Sequence, residues 1–253
     1  MIRRPKNRWS TSDSAEKVDS FLKEAYSKQA TTYDQHRSEI ASIGFYQELT
    51  DRFIEEIIPI NAETKVLDIA SGTGRGVLSM SKKEGKIFGA DISLSMCQEA
   101  KKKAETGKVN NVYFTTGAAR LLPFKENSFD VITTMMFFHL VPKHLWEDII
   151  KDMQRVLKPG GVLILEFSSP FHGIFIEFFR SLFVKKKHSL WPHEAKKLFQ
   201  GMKIIRKCGS YIPGTYRVFC INQKLGMLML KLARCFPFNH TADELFYVVR
   251  KDK

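Results

Sequence analysis

Short apolar runs alternate along this chain with longer segments in which apolar residues recur at every third or fourth position. The short runs predict strands, at residues 65–69, 86–91, 112–116, 129–134, 162–167, 202–208 and 245–250. The periodic segments predict helices, at residues 14–30, 39–58, 77–83, 92–103, 143–157, 171–183 and 224–236. Strands that alternate with helices are typical of an α/β protein, so we expect one doubly wound sheet of seven strands. The last two strands are expected to form an antiparallel pair that completes it.

The first predicted strand ends in a glycine-rich bend. Gly72, Gly74 and Gly76 follow it at alternate positions, where glycine can take positive φ and let a ligand approach the backbone. The backbone N–H groups at the start of the following helix are free to meet an anion. The bend therefore predicts a site for a nucleotide-like cofactor.

Spacing and neighbouring charge narrow the kind of cofactor. The glycines match neither the dinucleotide fingerprint Gly-x-Gly-x-x-Gly nor the phosphate loop, which needs Gly-Lys-Ser/Thr. Asp68 lies just before the bend, where it would repel a pyrophosphate and can accept a hydrogen bond from an ammonium group. Asp91 ends the second strand, the usual position of a carboxylate that binds ribose hydroxyls. An adenosyl group that carries an amino acid instead of phosphates fits both carboxylates.

These residues resemble the class I S-adenosylmethionine (SAM) dependent methyltransferases, whose fold is a Rossmann-like sheet. The likeness extends over roughly residues 20 to 167 and includes Asp-Ile-Ala-Ser-Gly-Thr-Gly at 68–74, Asp91, Leu-Pro-Phe at 122–124, Ser-Phe-Asp-Val-Ile at 128–132 and Arg-Val-Leu-Lys-Pro-Gly-Gly at 155–161. The joint pattern is specific, although each piece alone is weak.

The resemblance assigns roles around SAM. The methionine end would be held by Asp68, Gly72, Thr73 and Gly74. The remaining cofactor-binding candidates are Asp91 for the ribose hydroxyls, with Ile92 beside it, and Ala118, Ala119 and Met135 around adenine and the methionine tail. At Ala118 the relatives usually carry an aspartate that meets the adenine amino group, so we expect one charge-assisted hydrogen bond, worth roughly 1.5 to 3 kcal/mol, to be absent.

The segment before the first strand resembles the cap of small-molecule methyltransferases. Tyr26 and the pair Tyr33-Asp34 occupy its aromatic-x-x-x-Ala-x-x-Tyr-Asp pattern, which lies over bound SAM in the quinone and biotin pathways. By that resemblance Tyr33 would face the sulfonium, for which an aromatic face is electrostatically suited. The alternative is that Tyr33 packs the helix against the sheet.

The fourth strand should open at the reacting methyl group. The run 134–140 that ends it is rich in methionine and phenylalanine, which predicts an apolar acceptor pocket. His139 is its one obvious proton acceptor and the candidate general base; the alternative is a core histidine bonded to the backbone. Residues 165–170, Leu-Glu-Phe-Ser-Ser-Pro, are similar to the ubiquinone and menaquinone C-methyltransferases, whereas residues 35–46 do not reproduce the signature that follows Tyr-Asp in those enzymes.

Composition predicts one domain with a basic tail. The chain has 253 residues, 43% of them hydrophobic and 26% charged, which is ordinary for a globular protein. We expect a mobile tail at 1–13 and a single domain at 14–253, divided into a helical cap (14–60), a SAM-binding core (61–167) and a substrate-side region (168–253). The four cysteines form no Cys-x-x-Cys pair and the N-terminus lacks the apolar core of a secretory signal, so we expect no metal and a reducing, cytoplasmic location.

Positive charge concentrates in the last third of the chain. Residues 168–253 hold 16 of the 40 Lys and Arg and 5 of the 27 Asp and Glu, a net charge of +11 out of +13. The same region carries two basic amphipathic helices, at 171–187 and 224–236, which favour peripheral contact with an anionic membrane and a lipophilic acceptor such as a quinone, an isoprenoid or a lipid. Two alternatives stay open: an RNA methyltransferase, motivated by the charge, and a non-catalytic SAM-binding or assembly protein, motivated by Ala118.

Overall fold

The computed structural model describes residues 9–10, 12–38, 50, 53–54, 56–57, 60–170, 189–209, 218, 220–233 and 244–252. The predicted helix at 39–58 lies mostly outside these ranges, and the aromatic helix at 171–183 with its trailing lysines lies wholly outside them. The division into tail, cap, core and substrate-side region stays a prediction.

The described residues form a seven-stranded sheet, as predicted. Its strands are β1 (Lys65–Ile69), β2 (Lys86–Asp91), β3 (Val112–Thr116), β4 (Phe129–Thr134), β5 (Leu157–Ser168), β6 (Met202–Gly209) and β7 (Glu244–Lys251), in the order β3-β2-β1-β4-β5-β7-β6. Strands β1 to β5 pair in parallel, whereas β7 runs antiparallel to both β5 and β6. The strand order reverses between β1 and β4, and ligands of doubly wound folds bind outside the carboxyl ends of the strands at such a point.

Helices cover both faces of this sheet. They are α1 (Ala15–Ser27), α2 (Tyr33–Ser38), α3 (Arg75–Met80), α4 (Leu94–Thr106), α5 (Trp146–Val156), α6 (Pro192–Leu198) and α7 (Gln223–Ala233). Two of them begin at serine caps: the Ser14 hydroxyl accepts the Lys17 N–H, and the Ser93 hydroxyl accepts the Met96 N–H. Such caps satisfy backbone donors that a helix start leaves without a partner, and so fix where α1 and α4 begin.

Alternation along the strands divides the core into two layers. Leu67 and Ile69 of β1 pack on the face covered by α1, α5 and α6, while Val66 packs on the opposite face with Val77 and Met80 of α3. Successive side chains of a strand point to opposite sides, so β1 contributes to both layers. Being buried on both faces, the strand can place a polar side chain only where the sheet ends.

The strand β5 begins earlier than the predicted start at residue 162. Leu157 pairs with Phe129 and Val162 with Val131, so residues 158–161 form a bulge between them. Gly160 takes a φ of +76° in this bulge, which lets the chain turn and rejoin the ladder. The Lys-Pro-Gly-Gly run that looked like a connection is therefore part of the strand.

Among the described residues, every helix is too short or too polar to cross a lipid bilayer.

Tyr247 provides a test of the core. Its side chain is buried, its hydroxyl has no hydrogen-bond partner among the described residues, and burial raises its pKa to about 12. Because the hydroxyl is desolvated without compensation, we expect Tyr247→Phe to leave the free energy of unfolding unchanged or raise it by about 1 kcal/mol. Since the folded pKa exceeds the unfolded value of about 10, the wild type should also lose stability between pH 10 and 12, and the variant should lose less.

Urea unfolding at pH 7 and pH 11 measures both effects. Tyr113→Phe is the matched control, because Tyr113 is 46% exposed. A loss of more than 1 kcal/mol in Tyr247→Phe at pH 7 would contradict the assignment of a hydroxyl without a partner.

Candidate functional site

A cleft opens at the carboxyl ends of β1, β2 and β4, beneath α1 and α2. It encloses about 1350 Å³ of empty space, counted out to its open mouth. Its lining includes eight of the predicted site residues: Tyr33, Asp68, Gly72, Thr73, Asp91, Ile92, Ala119 and Met135. Since ligands of doubly wound folds bind outside the carboxyl ends of the strands, this cleft lies where a cofactor is expected.

The bend after β1 has the backbone geometry that glycine permits. Gly72 and Gly74 take φ values of +54° and +78°, and Ala70 takes +57°. A Cβ on Gly74 would lie 2.7 Å from the Ala100 Cβ, so this glycine also lets the bend pack on α4. The chain can therefore turn at once from β1 into α3.

Gly76 has a different role from the one its spacing indicated. It lies within α3 and is not among the residues with positive φ, so the expectation of a third left-handed glycine is wrong. A Cβ on Gly76 would lie 3.1 Å from Asp68 Oδ2. The missing side chain thus lets the Asp68 carboxylate approach the first turn of α3, whose backbone N–H groups favour negative charge.

Asp68 and Asp91 are both buried carboxylates held by donors. Asp68 Oδ1 accepts the Thr133 hydroxyl at 2.8 Å, from the neighbouring strand β4. Asp91 accepts two backbone N–H groups, that of Ser93 on Oδ1 at 2.9 Å and that of Gly72 on Oδ2 at 2.8 Å. Burial raises the pKa of the Asp91 carboxyl, and these N–H groups lower it only in part. Asp91 therefore fixes the glycine bend against the end of β2 and still faces the cleft.

The cap is fastened to the glycine bend by an ion pair. Asp34 Oδ1 accepts the Thr73 hydroxyl at 2.7 Å, and its Oδ2 accepts the ammonium of Lys103 from α4. Lys103 Nζ also donates to the Thr73 carbonyl at 3.0 Å. We call these three residues the latch. Lys103 was not among the predicted site residues, because nothing near it in the chain indicates that it meets residue 34.

Tyr33 lies in the cleft wall beneath an arginine. Arg37 donates to the Tyr33 hydroxyl at 2.6 Å, and its guanidinium carbon lies 5.2 Å from the ring centroid. Arg37 also reaches the Met136 sulfur at 3.0 Å. These contacts orient the tyrosine at the cleft; its contact with the sulfonium stays a prediction.

The segment after β4 is strained and held by a buried glutamate. Met136 takes a φ of +54°, which is uncommon for a residue with a side chain, and its N–H donates to Glu166 Oε2 at 3.0 Å. Glu166 is buried at the end of β5. Glu166 belongs to the run 165–170 that resembles the quinone C-methyltransferases, but nothing in that run indicates that it fixes the loop beside Met135.

Three of the predicted site residues do not line the cleft. Gly74, Ala118 and His139 are absent from its wall, although a neighbour of each is present. His139 lies in a 3₁₀ turn, Phe138–Leu140, in which Phe138 enters the core and Leu140 reaches the cleft. His139 itself is not part of the cleft wall, and its role as a general base stays a prediction.

Similarity to a known protein family decides which cofactor such a cleft holds. The model of the ubiE/COQ5 methyltransferase family matches residues 12–196. The chain belongs to the ubiE/COQ5 methyltransferase family. It is therefore a SAM-dependent methyltransferase, and its cofactor is S-adenosylmethionine.

Curated relatives agree with the ubiE/COQ5 assignment. The chain is 36% identical over 156 residues to the ubiquinone/menaquinone biosynthesis C-methyltransferase UbiE of Azotobacter vinelandii, a match that covers 60% of each protein. It is 31% identical over 194 residues to the demethylmenaquinone methyltransferase of Bacillus velezensis, covering 70% of this chain and 82% of that one.

Solved structures agree on the fold. A SAM-dependent methyltransferase from Methanosarcina mazei superimposes with a TM-score of 0.58 at 17% identity, covering 76% of this chain and 94% of that one. One from Aquifex aeolicus gives a TM-score of 0.51 at 16% identity, covering 79% and 87%. The [4+2]-cyclase SpnF gives 0.57 at 17%, covering 80% of each chain, so the fold alone does not determine the reaction.

The cleft of this ubiE/COQ5 member fits the cofactor. Asp68 before the bend disfavours a pyrophosphate, and Gly76 leaves its carboxylate accessible at the start of α3. We infer that Asp68, Gly72 and Thr73 hold the aminoacyl end, and that Asp91 with Ile92 holds the ribose.

Asp91→Asn tests the ribose contact. The amide keeps the size of the carboxylate but offers fewer acceptors, so we expect the affinity for S-adenosylhomocysteine to fall at least tenfold by titration calorimetry. Asp130→Asn, at the far end of β4, is the control and should bind as the wild type does. Unchanged affinity in a folded Asp91→Asn protein would remove Asp91 from the site.

Lys103→Met tests the latch. Both partners are partly exposed, 33% for the Lys103 side chain and 45% for that of Asp34, so we expect a loss of about 1 kcal/mol or less. Hydrogen exchange should rise at residues 33–38, and S-adenosylhomocysteine should dissociate up to about fivefold faster in stopped flow. Lys101→Met on the exposed side of α4 is the control; equal rates in the two variants would show that the latch does not hold the cap.

Proposed function

We propose that the protein methylates a lipophilic small molecule of the quinone class at the surface of an anionic membrane. The proposal rests on the apolar wall of the cleft beside Met135, together with membership of the ubiE/COQ5 methyltransferase family. Named relatives act in ubiquinone and menaquinone biosynthesis. Their activity supports a quinone as the acceptor.

The apolar wall comes from the segment after β4 and from α5. It is formed by Phe137, Leu140, Val141, Leu145 and Ile149. These side chains offer no hydrogen bond and no charge, so they favour an acceptor that is itself apolar, such as a ring that carries an isoprenoid chain. They also exclude water from the place where a methyl group would be transferred.

The chain's contribution to the reaction is placement. SAM, when bound, supplies an electrophilic methyl group on a sulfonium. Asp68 and Asp91 would hold its amino acid and its ribose, and the segment held by Glu166 brings Met135 and Met136 beside the apolar wall. Holding donor and acceptor in line removes much of the entropic cost of a bimolecular transfer. This proposal does not assign the acceptor's proton to a particular residue.

The membrane part of the proposal is supported by the surface of α7. Ile221, Leu225 and Leu228 are 87%, 49% and 51% exposed, and Lys224 and Lys231 lie on the same segment. Apolar side chains flanked by lysines suit the interface of an anionic bilayer. Residues 168–253 also carry a net charge of +11, and an anionic bilayer attracts positive charge.

Methyl transfer to a quinol tests the function. The protein is incubated with SAM and a short-chain demethylmenaquinol, and products are analysed by mass spectrometry for the gain of one methyl group. We expect methylated quinone product, and less of it with Asp91→Asn. A parallel reaction offers RNA in place of the quinol. If the RNA is methylated and the quinol is not, the proposal is wrong and the protein is an RNA methyltransferase.

Sedimentation with vesicles tests the membrane surface. Leu228→Glu should lower the fraction of protein bound to vesicles that contain phosphatidylserine by at least threefold, because it places a negative charge at the interface. Ile205→Glu is the matched control, since Ile205 is 44% exposed on the edge strand β6. An equal loss in both variants, or none in either, would count against α7 as the membrane surface.

A further inference from the structure

One face of α1 forms part of the cleft wall. Asp19, Leu22 and Tyr26 all line the cleft, and their spacing of three and four residues places them on one side of the helix. Leu22 is buried there, beside Val18. This side of α1 is therefore apolar except for one carboxylate, that of Asp19.

Arg120 ties Asp19 to the loop that follows β3. Its Nε donates to Asp19 Oδ2 at 2.8 Å, and a terminal nitrogen donates to Glu16 Oε1 at 2.9 Å. Arg120 directly follows Ala119, which lines the cleft. At the other end of α1, the Ser27 hydroxyl lies 2.9 Å from that of Ser93, the cap of α4. The helix thus extends across the carboxyl ends of β3 and β2.

The purine of the cofactor belongs at this end of the cleft. With the aminoacyl group at the bend after β1 and the ribose at Asp91, the base extends towards β3. Ile92, Met96, Gly117 and Ala119 line that part of the cleft with apolar side chains and backbone, and the Arg120 side chain that is paired with Asp19 lines it too. Beyond Asp91, the carboxylate among the described lining residues there is Asp19, and an adenine amino group needs an acceptor when it leaves water.

The ion pair leaves Asp19 able to accept. Arg120 occupies Oδ2, and Oδ1 accepts no hydrogen bond from the described residues. The Asp19 side chain is only 24% exposed, and burial raises its pKa despite the opposing effect of Arg120. Asp19 and Arg120 both line the cleft, whereas Glu16, the other partner of Arg120, does not.

We propose that Asp19 accepts a hydrogen bond from the amino group of the cofactor's adenine, so that α1 distinguishes adenine from 6-oxopurines. This inference rests on the cofactor site described above. It gives to α1 the contact with the adenine amino group that relatives usually make through an aspartate. At that position this chain has Ala118, whose side chain is a methyl group.

Two ligands that differ at this edge of the purine, in the 6-substituent and in the proton on N1, test the proposal. Titration calorimetry compares S-adenosylhomocysteine with S-inosylhomocysteine, which carries an oxo group in place of the amino group. The wild type should prefer the adenosyl ligand at least tenfold, because the oxo group would face a carboxylate. In Asp19→Asn the amide can donate or accept, so the preference should fall below threefold; Asp19→Ser should show the same fall.

The affinity ratio is measured on one protein sample, so it does not depend on how stable each variant is. Glu16→Gln is the control: it loosens the other arm of Arg120 and should keep the wild-type preference. A wild-type ratio retained by both Asp19 variants would overturn this inference alone. A wild type that binds neither ligand would overturn the cofactor site, and this inference with it.

Discussion

The structure depends on holding two carboxylates at neighbouring strand ends inside a sheet that is apolar on both faces. A buried carboxylate is costly unless donors surround it. Asp68 is stabilised by the Thr133 hydroxyl and the start of α3, and Asp91 by the backbone N–H groups of Gly72 and Ser93. The glycine bend supplies part of this stabilisation through the Gly72 N–H. The Asp91 carboxylate in turn fixes the conformation of the bend. A ligand that brings an ammonium group and hydroxyls completes the balance, whereas a phosphate would worsen it.

The cap is attached to this centre mainly through polar contacts. The latch joins α2 to the glycine bend, Arg120 joins α1 to the loop after β3, and Ser27 meets Ser93. Several of these groups are partly exposed, so each contact is individually weak. Apolar contacts of Val18 and Leu22 anchor α1 to the core. A cap fixed along one side by burial and along the other by weak polar contacts can admit a cofactor without unfolding the sheet.

The strands, the helices and the sheet that they form were predictable from sequence, and the long-range side-chain contacts were not. Apolar runs in the sequence predict strands such as Lys65–Ile69 and Lys86–Asp91, and Ser93, a typical N-cap residue, indicates where α4 begins. The partners Asp34 and Lys103 are 69 residues apart, and Asp19 and Arg120 are 101 apart, so only the assembled sheet brings them together. Likewise, the spacing of the glycines could not reveal that Gly76 makes room for a carboxylate instead of turning the chain.

The most direct measurement is a crystal structure of the protein with S-adenosylhomocysteine. The account predicts the amino group of the ligand at Asp68 and the glycine bend, and both ribose hydroxyls within about 3 Å of the Asp91 carboxylate. A ligand bound elsewhere, or a cleft that stays closed by its own side chains at saturating ligand, would contradict it.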